Sequence, residues 1–313
     1  MAEPTAALPF AGGYASPTDL MVHVSLHLTR GLTRLAASAP PPAGPGGPAA
    51  PRGLAAPAGP AAPGEPPGPA PALVAVAHGS RDPRALRTAQ ALLERVRAHR
   101  PGLDVRLGHV ELNEPLLAGT LAGLTGPAVL VPLLLSRGHH VKHDLPAALA
   151  AAPHVRGLVA DPLGPHPLLA EALHRRLEEA GWDARRPGDA VVLAAAGSRD
   201  PDSAADTART AALLSRRLGG VPVVPAFASA AAPTVPEALA ALAARGLRRV
   251  AVAACFAAPG RFATQTAAAA PWIAAAPLGV QDAVARLVLH RYDRAAAALG
   301  TTPPRRPAAA ARN

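Results

Sequence analysis

From Pro71 onward the chain alternates short apolar runs with stretches of helical periodicity. ALVAVA at 72–77 is an unbroken apolar run, the pattern of a strand covered on both faces. Asp82-Pro83 follows as a helix N-cap with proline in the first helical position. Leu86, Ala89, Leu93 and Val96 then form a stripe at helical spacing that Pro101 closes. VRLGHVEL at 105–112 reads as a strand, Pro115 opens a helix to about Leu124, and AVLVPLLL at 128–135 is a third strand. A helix is expected from about Leu145, then a strand at Leu158–Asp161 and a helix over Leu168–Ala180 with Gly181 as its C-cap. Strands alternating with helices predict an α/β fold with a mostly parallel sheet covered on both sides.

The pattern then repeats. VVLAAAGSRDP at 191–201 aligns on LVAVAHGSRDP at 73–83, with GSRDP identical at the same strand-to-helix junction 118 residues later. VAVAACF at 250–256 corresponds to VLVPLLL at 129–135. The chain is therefore expected to hold two tandem copies of one α/β unit, 72–185 and 189–299, arranged as a pseudo-dimer. Residues 40–71 hold 13 of the 38 prolines, so 1–71 reads as a disordered extension, with a possible short helix over 19–37, and 300–313 reads as a disordered tail.

Composition narrows the function classes. Cys255 is the single cysteine, which excludes an internal disulfide and any cysteine-based zinc finger, and as a strand-end residue it reads as packing rather than a nucleophile. No apolar run approaches the roughly 18 residues of a membrane span, and the N-terminus does not read as a signal peptide, so a soluble cytoplasmic protein is expected. The net charge of +10 includes three arginines in the tail and none net from 1–70, leaving about +7 on the body. Lys142 is the lone lysine, and the arginine bias reads as genomic base composition. Nucleic acid is not expected as a partner, because residues 71–181 contain no Phe, Tyr or Trp on which bases could stack. A small polycarboxylate suits the basic body equally well.

In open α/β sheets ligands bind beyond the carboxyl ends of the strands. Those ends in the first copy carry His78, Glu111 and the run Gly138-His139-His140-Val141-Lys142-His143-Asp144. Two imidazoles and a carboxylate are a reasonable set for a borderline divalent ion. Gly79, Ser80 and the helix start behind them could hold an anion, with Arg81 as a clamp, or could simply form a turn. In the second copy His78 is matched by Ala196, Glu111 by Ser229 and His140 by Phe262, while GSRDP is kept. Joint loss of three polar groups beside an intact framework fits one active site in the first copy and a supporting second copy.

Strand-HGSRDP at 73–83, VELNEP at 110–115 and PLLLSRGHHVKHDLP at 132–146 resemble the class II chelatases of the sirohydrochlorin chelatase family, in their long, duplicated form. The resemblance implies ATP-independent insertion of Co2+ or Fe2+ into sirohydrochlorin, for cobalamin or sirohaem biosynthesis, with the metal as substrate and no tightly bound cofactor. It implies His78 and His140 as metal-binding histidines and Glu111 as the carboxylate that binds metal or takes protons. Arg81, Arg137, Lys142 and the Gly79-Ser80 turn would meet the substrate's carboxylates. It also implies a monomeric pseudo-dimer with one working cleft. No P-loop is present, in keeping with an ATP-independent reaction. Two rivals remain: a non-enzymatic metal-delivery protein, which the histidine cluster alone would also suit, and a histidine-phosphatase-like phosphoesterase, whose signature needs an arginine where Ala77 stands.

Overall fold

The computed structural model of the protein describes residues 70–183 and 186–301. The Pro-rich extension, the helix expected over 19–37 and the tail beyond residue 301 lie outside them. The first repeat runs β1 (Ala72–Ala77), α1 (Pro83–His99), β2 (Val105–His109), α2 (Leu117–Ala122), β3 (Ala128–Pro132), a π-helical turn (His140–Asp144), α3 (Leu145–Ala150), β4 (Gly157–Val159) and α4 (Pro167–Glu179). The second runs β5 (Asp189–Ala195), α5 (Pro201–Arg217), β6 (Val223–Phe227), α6 (Val235–Ala244), β7 (Arg249–Cys255), α7 (Arg261–Ala268), β8 (Ile273–Ala274) and α8 (Asp282–Thr301).

Each repeat builds a four-stranded parallel sheet, in the orders β2-β1-β3-β4 and β6-β5-β7-β8. The order reverses between the first and third strands of each sheet, and the crevice that opens there is where such sheets bind ligands. The registers correspond, with Val76 paired to Pro132 in the first sheet and Ala194 to Ala254 in the second, which aligns β3 on β7 one residue further along than the match of 129–135 with 250–256 read from the sequence. The helix caps also match. Asp82 and Asp200 each accept a backbone N–H two residues on, at 2.9 and 3.0 Å, and each is followed by proline at N1.

Because the central strands are apolar on both faces, apart from the Asp189–Arg249 ion pair at the start of β5 and β7, both sheet faces need cover. One face of the first sheet (Val74, Val76, Leu130) packs on Leu117, Leu121 and Leu145 of α2 and α3. The second sheet does the same through Val192, Ala194 and Val252 against Val235 and Leu242. The opposite faces merge: Leu73, Val129 and Val131 share one core with Val191, Leu193 and Ala253, through α1, α4, α5 and α8.

The terminal helices are exchanged across that core. Helix α8, last in the second repeat, lies on α1 and on β3 and β4 of the first. It is tied there by His99 to Asp282 (2.6 Å), by Arg100 to Asp293, by Tyr292 donating to the Pro71 carbonyl (2.6 Å) and by Arg156 donating to the Leu299 carbonyl (2.7 Å). Helix α4, last in the first repeat, lies on α5 and β7 of the second, where Arg176 donates to the Leu278 carbonyl (2.8 Å). Among the described residues no helix is long and apolar enough to cross a membrane.

Candidate active site

His78 is the first residue past β1, and Gly79 turns the chain with φ of +104°. A side chain at Gly79 would collide with the Glu111 carbonyl, its Cβ falling 1.9 Å from that oxygen. The glycine therefore lets the segment after β2 lie flat against the β1 turn, where Glu111 N–H donates to the His78 carbonyl at 3.1 Å. The side chains follow: His78 Nδ1 stands 3.5 Å from Glu111 Oε1, slightly beyond hydrogen-bond range. The second repeat keeps this frame without the chemistry. Gly197 (φ +90°) abuts the Ser229 carbonyl and Ser229 N–H donates to the Ala196 carbonyl at 3.0 Å. The correspondences of His78 to Ala196 and Glu111 to Ser229 thus hold in backbone hydrogen bonds as well as in sequence.

The loop after β3 brings His140 to the same place. Its ring lies edge-on to that of His78, with centroids 4.6 Å apart and planes at 87°. The histidine run forms the opening turn of a helix, wound as a π-helical turn over His140–Asp144. Winding puts Asp144 one turn below His140, and its carboxylate meets His140 Nδ1 at 2.6 Å. A carboxylate can only accept, so Nδ1 is the donor in that contact, and in the neutral imidazole Nε2 keeps the lone pair. His139 is exposed, 3.6 Å from the other Asp144 oxygen and beside His143.

Both His78 and His140 line a cavity of about 950 Å³ between the two repeats, at the upper end of the range for small-molecule sites, roughly 300–1,000 Å³. Each β3-type loop closes on the GSRDP turn of the other repeat. A methyl group at Gly138 would sit 3.6 Å from Ser198 Oγ, and one at Gly260 would sit 3.7 Å from Ser80 Oγ. This mutual fit supports pairing Gly138 with Gly260, and so His140 with Phe262. His109, to which the sequence assigned no role, also lines the cavity, but it is buried and its Nδ1 is spent on the Pro115 carbonyl at 3.2 Å.

Arg137 and Lys142, expected to meet substrate carboxylates, are both ion-paired within the protein. The Arg137 guanidinium clamps Asp206, a carboxylate only 1% exposed, with 2.7 and 2.9 Å contacts, and its backbone N–H adds a third at 3.0 Å. Lys142 Nζ lies 2.7 Å from Asp200 and 2.9 Å from Asp202. Those hydrogen bonds push the Lys142 ammonium up and both aspartates down from their ordinary values. The two cations fasten the first repeat's active loop to α5 of the second. Ser80 is likewise occupied: its N–H donates to Asn113 Oδ1 at 2.7 Å and its hydroxyl accepts from Asp82 N–H at 3.1 Å. Arg81 does line the cavity. Asp144, Asp206 and Asn113 carry this geometry, and the sequence signal for them was only their place within or across from the motifs.

Among the described residues, no group of three or more His, Cys, Asp or Glu side chains is arranged to hold a metal ion. Structural zinc sites are closed by four ligands. Here two imidazoles, one flanked by a carboxylate, open onto a cavity, an arrangement that can take an ion and give it up.

The CbiX family matches this chain over residues 72–180 and again over 190–295. The sirohydrochlorin ferrochelatase of Bacillus subtilis (strain 168) is 33% identical over 175 residues, covering 53% of this chain and 66% of that protein. The sirohydrochlorin cobaltochelatase of Priestia megaterium is 31% identical over 115 residues, covering 35% of this chain and 38% of that protein. The chain thus spans about two thirds or less of these curated relatives. Among solved structures, SirB from Bacillus subtilis with Fe3+ superposes with a TM-score of 0.60 at 26% identity, over 73% of this chain and 96% of that one. With two copies of the family's unit, its parallel sheets and a matching solved fold all in one chain, this protein belongs to the CbiX family.

Proposed function

We propose that this protein inserts a divalent metal ion into sirohydrochlorin. The observation that carries the reading is the His78–His140 pair: two imidazoles from two strand ends, 4.6 Å apart, facing one cavity large enough for a sizeable ligand. Relatives named as iron and cobalt chelatases of this substrate support it. Neutral imidazole suits both Fe2+ and Co2+, so the ligand set leaves the choice of metal, and with it the sirohaem or cobalamin route, to experiment.

Metal insertion exchanges one divalent ion for two pyrrole protons. His78 and His140 would hold the ion as it sheds water, with Nε2 of His140 presented by Asp144. Glu111, beside His78 and more than half exposed, would accept a proton from a pyrrole N–H and pass it to solvent. A carrier that stores metal would be expected to close the ion with more ligands, and the open pair argues for transfer. A phosphatase would need free anion donors behind His78, and Ser80 N–H is already donated to Asn113. On this reading the protein works in the cytoplasm, and its working unit is a single chain, since both walls of the cavity come from one chain. The test is anaerobic mixing of the protein with sirohydrochlorin and Fe2+ or Co2+, followed by absorption. Metallation faster than the spontaneous rate is expected, and a rate equal to it would reject the reading.

A further inference from the structure

The second repeat has lost the metal-handling groups yet forms half of the cavity wall, and its contribution is of a different kind. Among the described residues, the Phe, Tyr and Trp side chains that line the cavity are Phe256 and Phe262, both from the second repeat. The first repeat has none between residues 71 and 181. Phe262 stands at the position of His140, at the start of α7, and Phe256 follows the end of β7. Arg261 lines the cavity beside them, its guanidinium 5.0 Å from the Phe262 ring centroid. Arg137 and Lys142 are committed to aspartates, whereas Arg81 and Arg261 line the cavity and stand in none of the ion pairs among the described residues.

We infer that this wall is the macrocycle-binding half of the site, with Phe262 and Phe256 receiving the flat face of a conjugated, carboxylate-bearing macrocycle and Arg261 pairing with one of its carboxylates. Aromatic rings pack on planar π-systems in offset or edge-on geometry, and an arginine fork binds carboxylate strongly. A phenyl ring cannot ligate metal. An imidazole at position 262 would set a competing donor opposite the first pair, so the exchange keeps the ion on one side of the macrocycle. The division of labour is then metal from the first repeat and macrocycle from the second.

This inference rests on the proposed function, and metal-free binding separates the two. Sirohydrochlorin is titrated without metal into the full chain by absorption and fluorescence, and Co2+ binding without sirohydrochlorin is measured by calorimetry. Phe262→Leu keeps an apolar filler for the half-buried site, and Arg261→Gln changes an exposed residue, so both should fold, as circular dichroism will check. Each is expected to weaken sirohydrochlorin binding about tenfold and leave Co2+ affinity within about twofold. His140→Ala is expected to do the reverse. If the parent protein binds sirohydrochlorin and both variants bind it equally well, the inference is overturned and the proposed function stands. If the parent does not bind sirohydrochlorin, both fall.

Discussion

His78 and Ala196 occupy the same backbone frame, and so do His140 and Phe262, so the two repeats form an internal control for which side chains carry chemistry. His78→Ala or His140→Ala is expected to reduce metal insertion to the spontaneous rate without lowering the melting temperature, since both side chains are open to solvent by a third or more. Ala196→Gly is expected to leave the rate nearly unchanged. Asp144 acts through His140. Asp144→Ala frees the Nδ1 proton to wander between the ring nitrogens, and loss of such a partner typically costs 10–100-fold in metal affinity. Asp144→Asn keeps an acceptor oxygen and should recover part of the loss. The 15N shifts of the His140 ring, measured without metal, should report the change of tautomer in the alanine variant and less of it in the asparagine variant. Cys255 belongs to the cavity wall but is buried, and burial pushes its thiol up to about 12, which leaves it without a reactive thiolate at neutral pH.

At the scale of elements, the histidine-bearing turn shows how a local rule sets functional geometry. Pro146 lacks an N–H and its ring would press on the carbonyl four residues back, so the turn before it widens, with Leu145 N–H donating to the His140 carbonyl. The helix was expected from about Leu145; its first turn starts five residues earlier and carries His140 and Asp144 into register. Helix α4 shows a different coupling. His166 is its N-cap, and Nδ1 accepts from Leu168 N–H at 3.1 Å. Burial, with Arg291 and His290 close by, pulls His166 down from 6.5 to about 4. The folded state thus disfavours the proton that the unfolded chain binds below about 6.5, and stability is lost as pH falls from 6.5 toward 4. His166→Asn keeps a capping acceptor and removes the titration. The gap in melting temperature between pH 7 and pH 4.5 is expected to be smaller in this variant, by a few degrees.

For the whole molecule, the exchanged helices make the repeats interdependent. Val284, Leu287, Val288 and Leu299 of α8 are buried, several of them against the first repeat. Burial of such side chains contributes about 1.5–3 kcal/mol each, so together they approach the roughly 5–15 kcal/mol stability of a whole domain. A fragment ending at residue 183 lacks that cover. It is expected not to be a folded monomer by size-exclusion chromatography with light scattering and by amide NMR dispersion. Co-expression with 186–313 should restore a compact complex. A monodisperse, well-dispersed monomeric fragment would contradict the exchange.

The sequence by itself determined the elements, the caps, the duplication and the candidates His78, Glu111 and His140, because all of these are local. Apolar runs mark buried strands, Asp-Pro marks a helix start, and residues just past parallel strands must share an edge. Tertiary structure alone decided the partners. An apolar helix face shows that it will be covered but not by which copy, since two copies of one unit offer equivalent surfaces, and the terminal helices settled on each other's sheets. For the same reason Arg137 and Lys142 read as free cations in sequence. The aspartates that hold them are 69 and 58 residues away, and only the closure of one repeat on the other brings the charges within hydrogen-bond range.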